Sequence, residues 1–104
     1  MEALVVFVTA QTEEEAAKIA RALVEGQLAG CINIIKPIRS IYSWQGKIED
    51  DAEVLMIVKT QKSLFTSLKN RIKELHSYTV PEIIALPVVA GSEDYLKWLE
   101  EVTG

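Results

Sequence analysis

Apolar residues in this chain follow two rhythms, and the places where one gives way to the other outline its elements. Leu4 to Val8 is an unbroken apolar run, three of its residues valine, short enough to be a buried strand. From Thr12 the spacing becomes helical. Thr12-Glu13-Glu14-Glu15 has the form of a capping box with acid in the first turn, and Ala16, Ile19, Ala20 and Leu23 follow on one face until Gly26. Cys31 to Ile35 is a second strand, interrupted at Pro37, which cannot donate to a ladder and marks a bulge or an edge. It resumes from Ile38 to Trp44.

Gln45-Gly46 supplies a turn and Lys47 to Glu49 returns; Asp50-Asp51 is expected to break the ladder before the run Val54 to Val58. Thr60 to Leu75 predicts a second helix, with Leu64, Phe65, Leu68, Ile72 and Leu75 on one face and Lys69, Arg71 and Lys73 on the other. Pro81 ends a loop, Ile83 to Ala90 predicts a fourth strand, and Ser92-Glu93-Asp94 opens a last helix carrying Tyr95, Leu96, Trp98, Leu99 and Val102. The order β-α-β-β-α-β plus a C-terminal helix is the ferredoxin-like split βαβ plan, an α+β fold with a long hairpin between strands two and three. Right-handed crossovers put both main helices on one face of an antiparallel sheet.

The other face of such a sheet normally meets water, and its strands then alternate apolar with polar. Here they do not. Leu4 to Val8, Val54 to Val58 and Ile83 to Val89 place apolar side chains on both faces, because successive residues of a strand point oppositely. The last helix can cover only part of that surface, so subunit packing of sheet on sheet is expected, with the hairpin edge free to add to a neighbour's sheet.

Composition narrows the picture further. A length of 104 residues fits one domain spanning 1–104, and 49% hydrophobic residues is more than a small monomer needs. No run reaches the roughly 18 apolar residues that cross a bilayer, and the sequence opens on a strand rather than a charged leader, so a cytoplasmic protein without membrane contact is expected. The single Cys31 fits a reducing compartment. A net charge of −4 with 11 scattered basic residues lacks the footprint of a nucleic-acid binder.

The loop Thr9-Ala10-Gln11-Thr12 has neither the glycines nor the arginine of a phosphate cradle, nor the paired cysteines of a metal chaperone. Phe7 alone cannot supply the stacking aromatics of an RNA-recognition module. No nucleophile lies beside the sole histidine, His76, in a pattern that carries chemistry, so the chain reads as non-enzymatic with no catalytic residue. One histidine and one cysteine fall short of the usual three or four metal ligands unless symmetry brings copies together. His76 ends a helix, where capping is the simplest role, and Cys31 in an apolar strand is a small core residue. Tyr42 and Trp44 share a strand face near a polar turn, and Glu53, Lys59, His76, Tyr78 and Glu82 add ionisable groups near strand ends.

Taken together, Cys31, Ser40-x-Tyr42-x-Trp44-x-Gly46-Lys47, Glu53, Lys59-Thr60, His76-x-Tyr78-x-x-Pro81-Glu82 and Tyr95-Leu96-x-Trp98 resemble the CutA divalent-cation tolerance family along essentially the whole chain. The resemblance implies a homotrimer similar in assembly to PII signalling proteins, cytoplasmic, and a role in tolerance of copper and other divalent ions and in the response to metal ions. It also implies a ligand cleft between subunits, for which the matching residues are Tyr42, Trp44, Lys47, Glu53, Lys59, Tyr78, Glu82 and Trp98. His76 is the candidate metal residue, since Val8 and Leu75 stand where some members carry a copper-binding cysteine and a second histidine. No cofactor is required; copper or another divalent cation would bind weakly. The alternative is a sensor or adaptor that takes a small anionic ligand or a protein partner in the same clefts.

Overall fold

The computed structural model describes residues Met1–Gly104. Four strands, β1 (Ala3–Ala10), β2 (Cys31–Trp44), β3 (Lys47–Gln61) and β4 (Ile83–Pro87), form one antiparallel sheet in the order β2-β3-β1-β4. Three helices, α1 (Glu13–Glu25), α2 (Phe65–Leu75) and α3 (Glu93–Val102), complete the β-α-β-β-α-β plan with its extra helix.

Cross-strand register fixes what each face carries. Val6 lies opposite Val58, and Val8 opposite Met56. These side chains are fully buried with Ala16, Ile19 and Leu23 of α1 and Leu68 and Ile72 of α2, so both main helices lie on one face over a single core. Thr12 caps α1, its Oγ1 accepting the Glu15 amide at 3.1 Å. Glu15 does not reach back to Thr12 in a reciprocal box: its carboxylate takes the Gln11 amide at 3.4 Å and the Ser77 amide at 3.0 Å, tying α1 to the loop after α2. Gly26 ends the helix with ordinary φ, and Gln27, at φ 58°, takes the left-handed position expected of the glycine.

Three boundaries differ from the sequence reading. Asp50-Asp51 does not break the ladder, because in this two-stranded ribbon the side chains stand in solvent and the backbone pairs with Ile41 and Ser40. β3 is therefore continuous. Thr60 belongs to β3, its hydroxyl held by the Leu28 carbonyl at 2.6 Å, and a 3-10 turn over Lys62–Leu64 precedes α2. β4 ends at Pro87 rather than Ala90, since the ladder runs out opposite Leu4 and the Val88 amide donates to Ala3 at 3.0 Å.

The second sheet face is apolar and largely uncovered. Val5, Phe7, Leu55 and Ile57 are half-buried there, while Ile84 and Leu86 keep 57% and 55% of their surface exposed. α3 caps one end only. Gly30 backs onto Leu99, Val102 and Trp98, and the Gln61 side-chain amide donates to Thr103 Oγ1 at 2.6 Å.

Candidate functional site

The feature that builds the site is a one-residue slip in β2. Before Pro37, Ile34 pairs with Met56; after it, Ile38 pairs with Glu53, so β2 contains one residue more than β3 across this stretch. One extra residue reverses the parity of every later side chain. Ile32 and Ile34 face the helices, yet Ser40, Tyr42 and Trp44, at positions of the same parity, face the opposite way, with Glu49, Asp51 and Glu53 of β3. Pro37 was legible as a bulge; its consequence is to deliver an aromatic pair onto the face that bears the carboxylates.

The result is an open cleft of about 760 Å³ between the hairpin, the end of β1 and the loop from α2 to β4. Tyr42, Trp44, Glu53, Tyr78 and Glu82 line it together with Thr9, Asp51's neighbour Ser40, and Val80. Glu53 is only 7% exposed, and its Oε2 accepts the Tyr78 hydroxyl at 2.6 Å. Tyr42 donates its hydroxyl to Asp51 Oδ2 at 2.7 Å. That bond, helped by the nearby charges of Glu53 and Glu49, pushes the Tyr42 phenol up to about 12. Tyr78 is pushed up further, by burial first and then by the Glu53 carboxylate. Glu82 is raised above the usual carboxylate range by burial and by the charge of Glu53. Charge in the cleft is thus negative and crowded.

His76 stands behind this cleft, 9% exposed. Its Nε2 lies 2.7 Å from the Thr9 carbonyl oxygen and its Nδ1 accepts the Tyr78 amide at 3.0 Å, which fixes a neutral ring protonated at Nε2. The ring also packs on Tyr78 with centroids 4.7 Å apart. Both ring nitrogens are therefore committed to backbone: His76 does C-cap α2, but through its own amide, which donates to the Ile72 carbonyl at 2.9 Å, while the side chain reaches across to β1. Val8 and Leu75 supply no donor atoms, and no three His, Cys, Asp or Glu side chains converge on a common point. Within one chain these residues do not fit a copper cage.

Of the other expected cleft residues, Lys47 lies opposite Trp44 at the hairpin tip and does not line the cleft. Lys59 lies farther along the same face of β3, about 20 Å from Glu53 at roughly 3.3 Å per residue. There it contacts Asn33 Oδ1 and sits 3.9 Å from Cys31 Sγ. Trp98 stacks against Tyr95 on α3 with centroids 5.4 Å apart, away from the cleft. Asp51 and Thr9 were not among the expected cleft residues. Period-2 alternation with the slip taken into account would have found Asp51; Thr9 enters through β1's end, which no motif marks.

Residues 4–102 match the description CutA1 divalent ion tolerance protein. The chain belongs to that family. It is 53% identical over 100 residues to the divalent-cation tolerance protein CutA of Thermus thermophilus, covering 96% of this chain and 97% of that one. It is also 53% identical over 97 residues to the human protein CutA, of which it spans 54%. Among solved structures, CutA1 of Thermus thermophilus superposes with a TM-score of 0.96 at 52% identity, covering 98% and 99% of the two chains. That of Oryza sativa gives 0.97 at 41% identity over 100% of this chain and 95% of that one. A CutA structure from Archaeoglobus fulgidus, described as periplasmic, gives 0.93 at 42% identity over 96% and 97%. Membership in the CutA1 family accounts for the fold, and the family is one named for divalent-cation tolerance. No helix of this CutA1 chain is long and apolar enough to cross a membrane.

Proposed function

We propose that this chain is a cytoplasmic, non-catalytic homotrimer with a PII-like arrangement that serves in tolerance of, and response to, copper and other divalent ions. The family match over residues 4–102 supports the tolerance role. The assembly rests on the uncovered face, where Ile84 and Leu86 stand exposed beside half-buried Val5, Phe7 and Ile57 on a sheet whose other face is already packed. Divalent cations are bound weakly, through carboxylates such as Glu53 and Glu82, and none is needed as a cofactor. Native mass spectrometry tests the assembly: three times 11.6 kDa is expected, with Leu86→Lys falling to single chains. A folded 11.6 kDa species from the native chain would remove the proposal. Copper calorimetry on the native chain tests the metal role, with weak, saturable heat expected and no heat counting against direct binding.

A second reading, a sensor or adaptor with a ligand or protein partner in the clefts, is favoured by the cleft itself. The expected anion is not: Lys47 and Lys59 lie outside the cleft, and its lining charges are Glu53, Glu82 and an Arg39 already paired with Asp50.

A further inference from the structure

Three features reach beyond weak metal binding: the hydrogen-bonding chemistry of the cleft, the lone cation Lys59, and the exposed aromatic pair on α3. The first two fit each other. In the cleft both tyrosine hydroxyls are already spent as donors to carboxylates, Tyr42 to Asp51 and Tyr78 to Glu53. What remains free is acceptor capacity: the second oxygen of Glu53, the Glu82 carboxylate and the phenol lone pairs. Glu53 is nine-tenths buried, forms no ion pair, and lies near enough to Glu82 to raise its pKa. The one cation lining the cleft, Arg39, is taken by Asp50 in a bidentate pair at 2.8 and 2.7 Å. A buried carboxylate without a counter-charge is costly; the Tyr78 hydroxyl offsets part of that cost, and a cation brought from outside would offset more of it.

The donors do not converge as a metal cage, so a cation that carries its own N–H groups suits them better than a tightly held metal ion. Trp44 and Tyr42, each 40% exposed on the hairpin face at the mouth, add two ring faces of the kind that attract an ammonium. We infer that the cleft receives an alkylammonium group, supplied by a free amine or by Lys59 of a second copy of this chain. Lys59 qualifies because it projects from the uncovered sheet face, half-buried, with only Asn33 and Cys31 as partners and no carboxylate. The inference rests on the cleft being a ligand site and names the chemistry of what enters it.

Butylammonium chloride titrated calorimetrically into the native assembly tests this, with sodium chloride and sodium butanoate as controls. Saturable binding is expected for the ammonium alone. Glu53→Gln keeps the acceptor for Tyr78 and should weaken binding roughly ten- to a hundredfold, the equivalent of one charge-assisted hydrogen bond. Glu82→Gln, at the surface, should weaken it without threatening the fold. If the native assembly is silent but Lys59→Gln binds butylammonium, the lysine of a second copy is the natural occupant. The inference is overturned by silence in both the native and Lys59→Gln chains, by equal affinity in Glu53→Gln, Glu82→Gln and the native chain, or by butanoate binding better. Copper heats on the same samples report on the metal role separately.

Discussion

Replacing His76 by phenylalanine isolates the two hydrogen bonds that hold the cleft's back wall. An aromatic ring is kept beside Tyr78, whose centroid lies 4.7 Å from that of His76, while the partner of the Thr9 carbonyl and the acceptor for the Tyr78 amide are lost. Each buried polar group left unpaired costs about 1–3 kcal/mol. Thr9 is buried and bears the full cost; Tyr78 is half-buried and water recovers part of it. Greater apolarity of phenylalanine returns up to about 1 kcal/mol, so the net loss is about 2–3 kcal/mol. Guanidinium unfolding at fixed protein concentration measures it, since assembly links stability to concentration. A midpoint lowered by on the order of half to one molar with an unchanged slope is expected. His76→Gln, which can meet one of the two partners, should fall between. A His76→Phe midpoint equal to that of the native chain, or one above His76→Gln, would refute the bridging role.

Two further outcomes follow from the packing and the cleft. Gly30→Ala should lower stability by about 1–3 kcal/mol in the same unfolding experiment, because its Cβ would come within 2.6 Å of Leu99 Cδ1 and 3.1 Å of Val102 Cγ2; no change would mean that α3 is loosely seated. Asp51→Asn should bring the Tyr42 phenol down from about 12 toward its ordinary 10.0, read by ultraviolet titration. The sign follows from the bond: the neutral phenol is favoured in the folded chain, so this stabilisation is complete below the ordinary phenol value and fades as pH rises through the raised one.

Most of the architecture was legible in the sequence because it rests on burial. Unbroken runs such as Leu4 to Val8 mark strands with apolar residues on both faces, and the Thr12 cap with its helical face marks the start of α1. Boundaries set by hydrogen bonding rather than burial were not. Asp50-Asp51 counts against a strand by propensity, but a solvent-exposed ribbon imposes no burial cost on its side chains. Val88 and Val89 look like strand residues, yet only the Val88 amide still finds a partner, the Ala3 carbonyl at the start of β1, and the ladder ends there. The site divides the same way. Tyr42, Trp44, Glu53, Tyr78 and Glu82 do meet, and their residue types were the signal. Lys47, Lys59 and Trp98 carry the same sort of signal but lie elsewhere, the two lysines toward opposite ends of β3 and the tryptophan on α3. The link from His76 to Thr9 joins residues 67 apart in sequence, and nothing local foretells it.

The slip at Pro37 also bears on the chain's solubility. β2 is an edge strand of 14 residues, and an edge of that length offers a template on which foreign strands could stack without limit. A missing amide and a phase change in mid-strand divide that template in two. An intruder in step with one segment falls out of step with the other, so growth stalls after a few residues. The same kink that turns Tyr42 and Trp44 toward Glu53 thus acts as a guard against fibre formation.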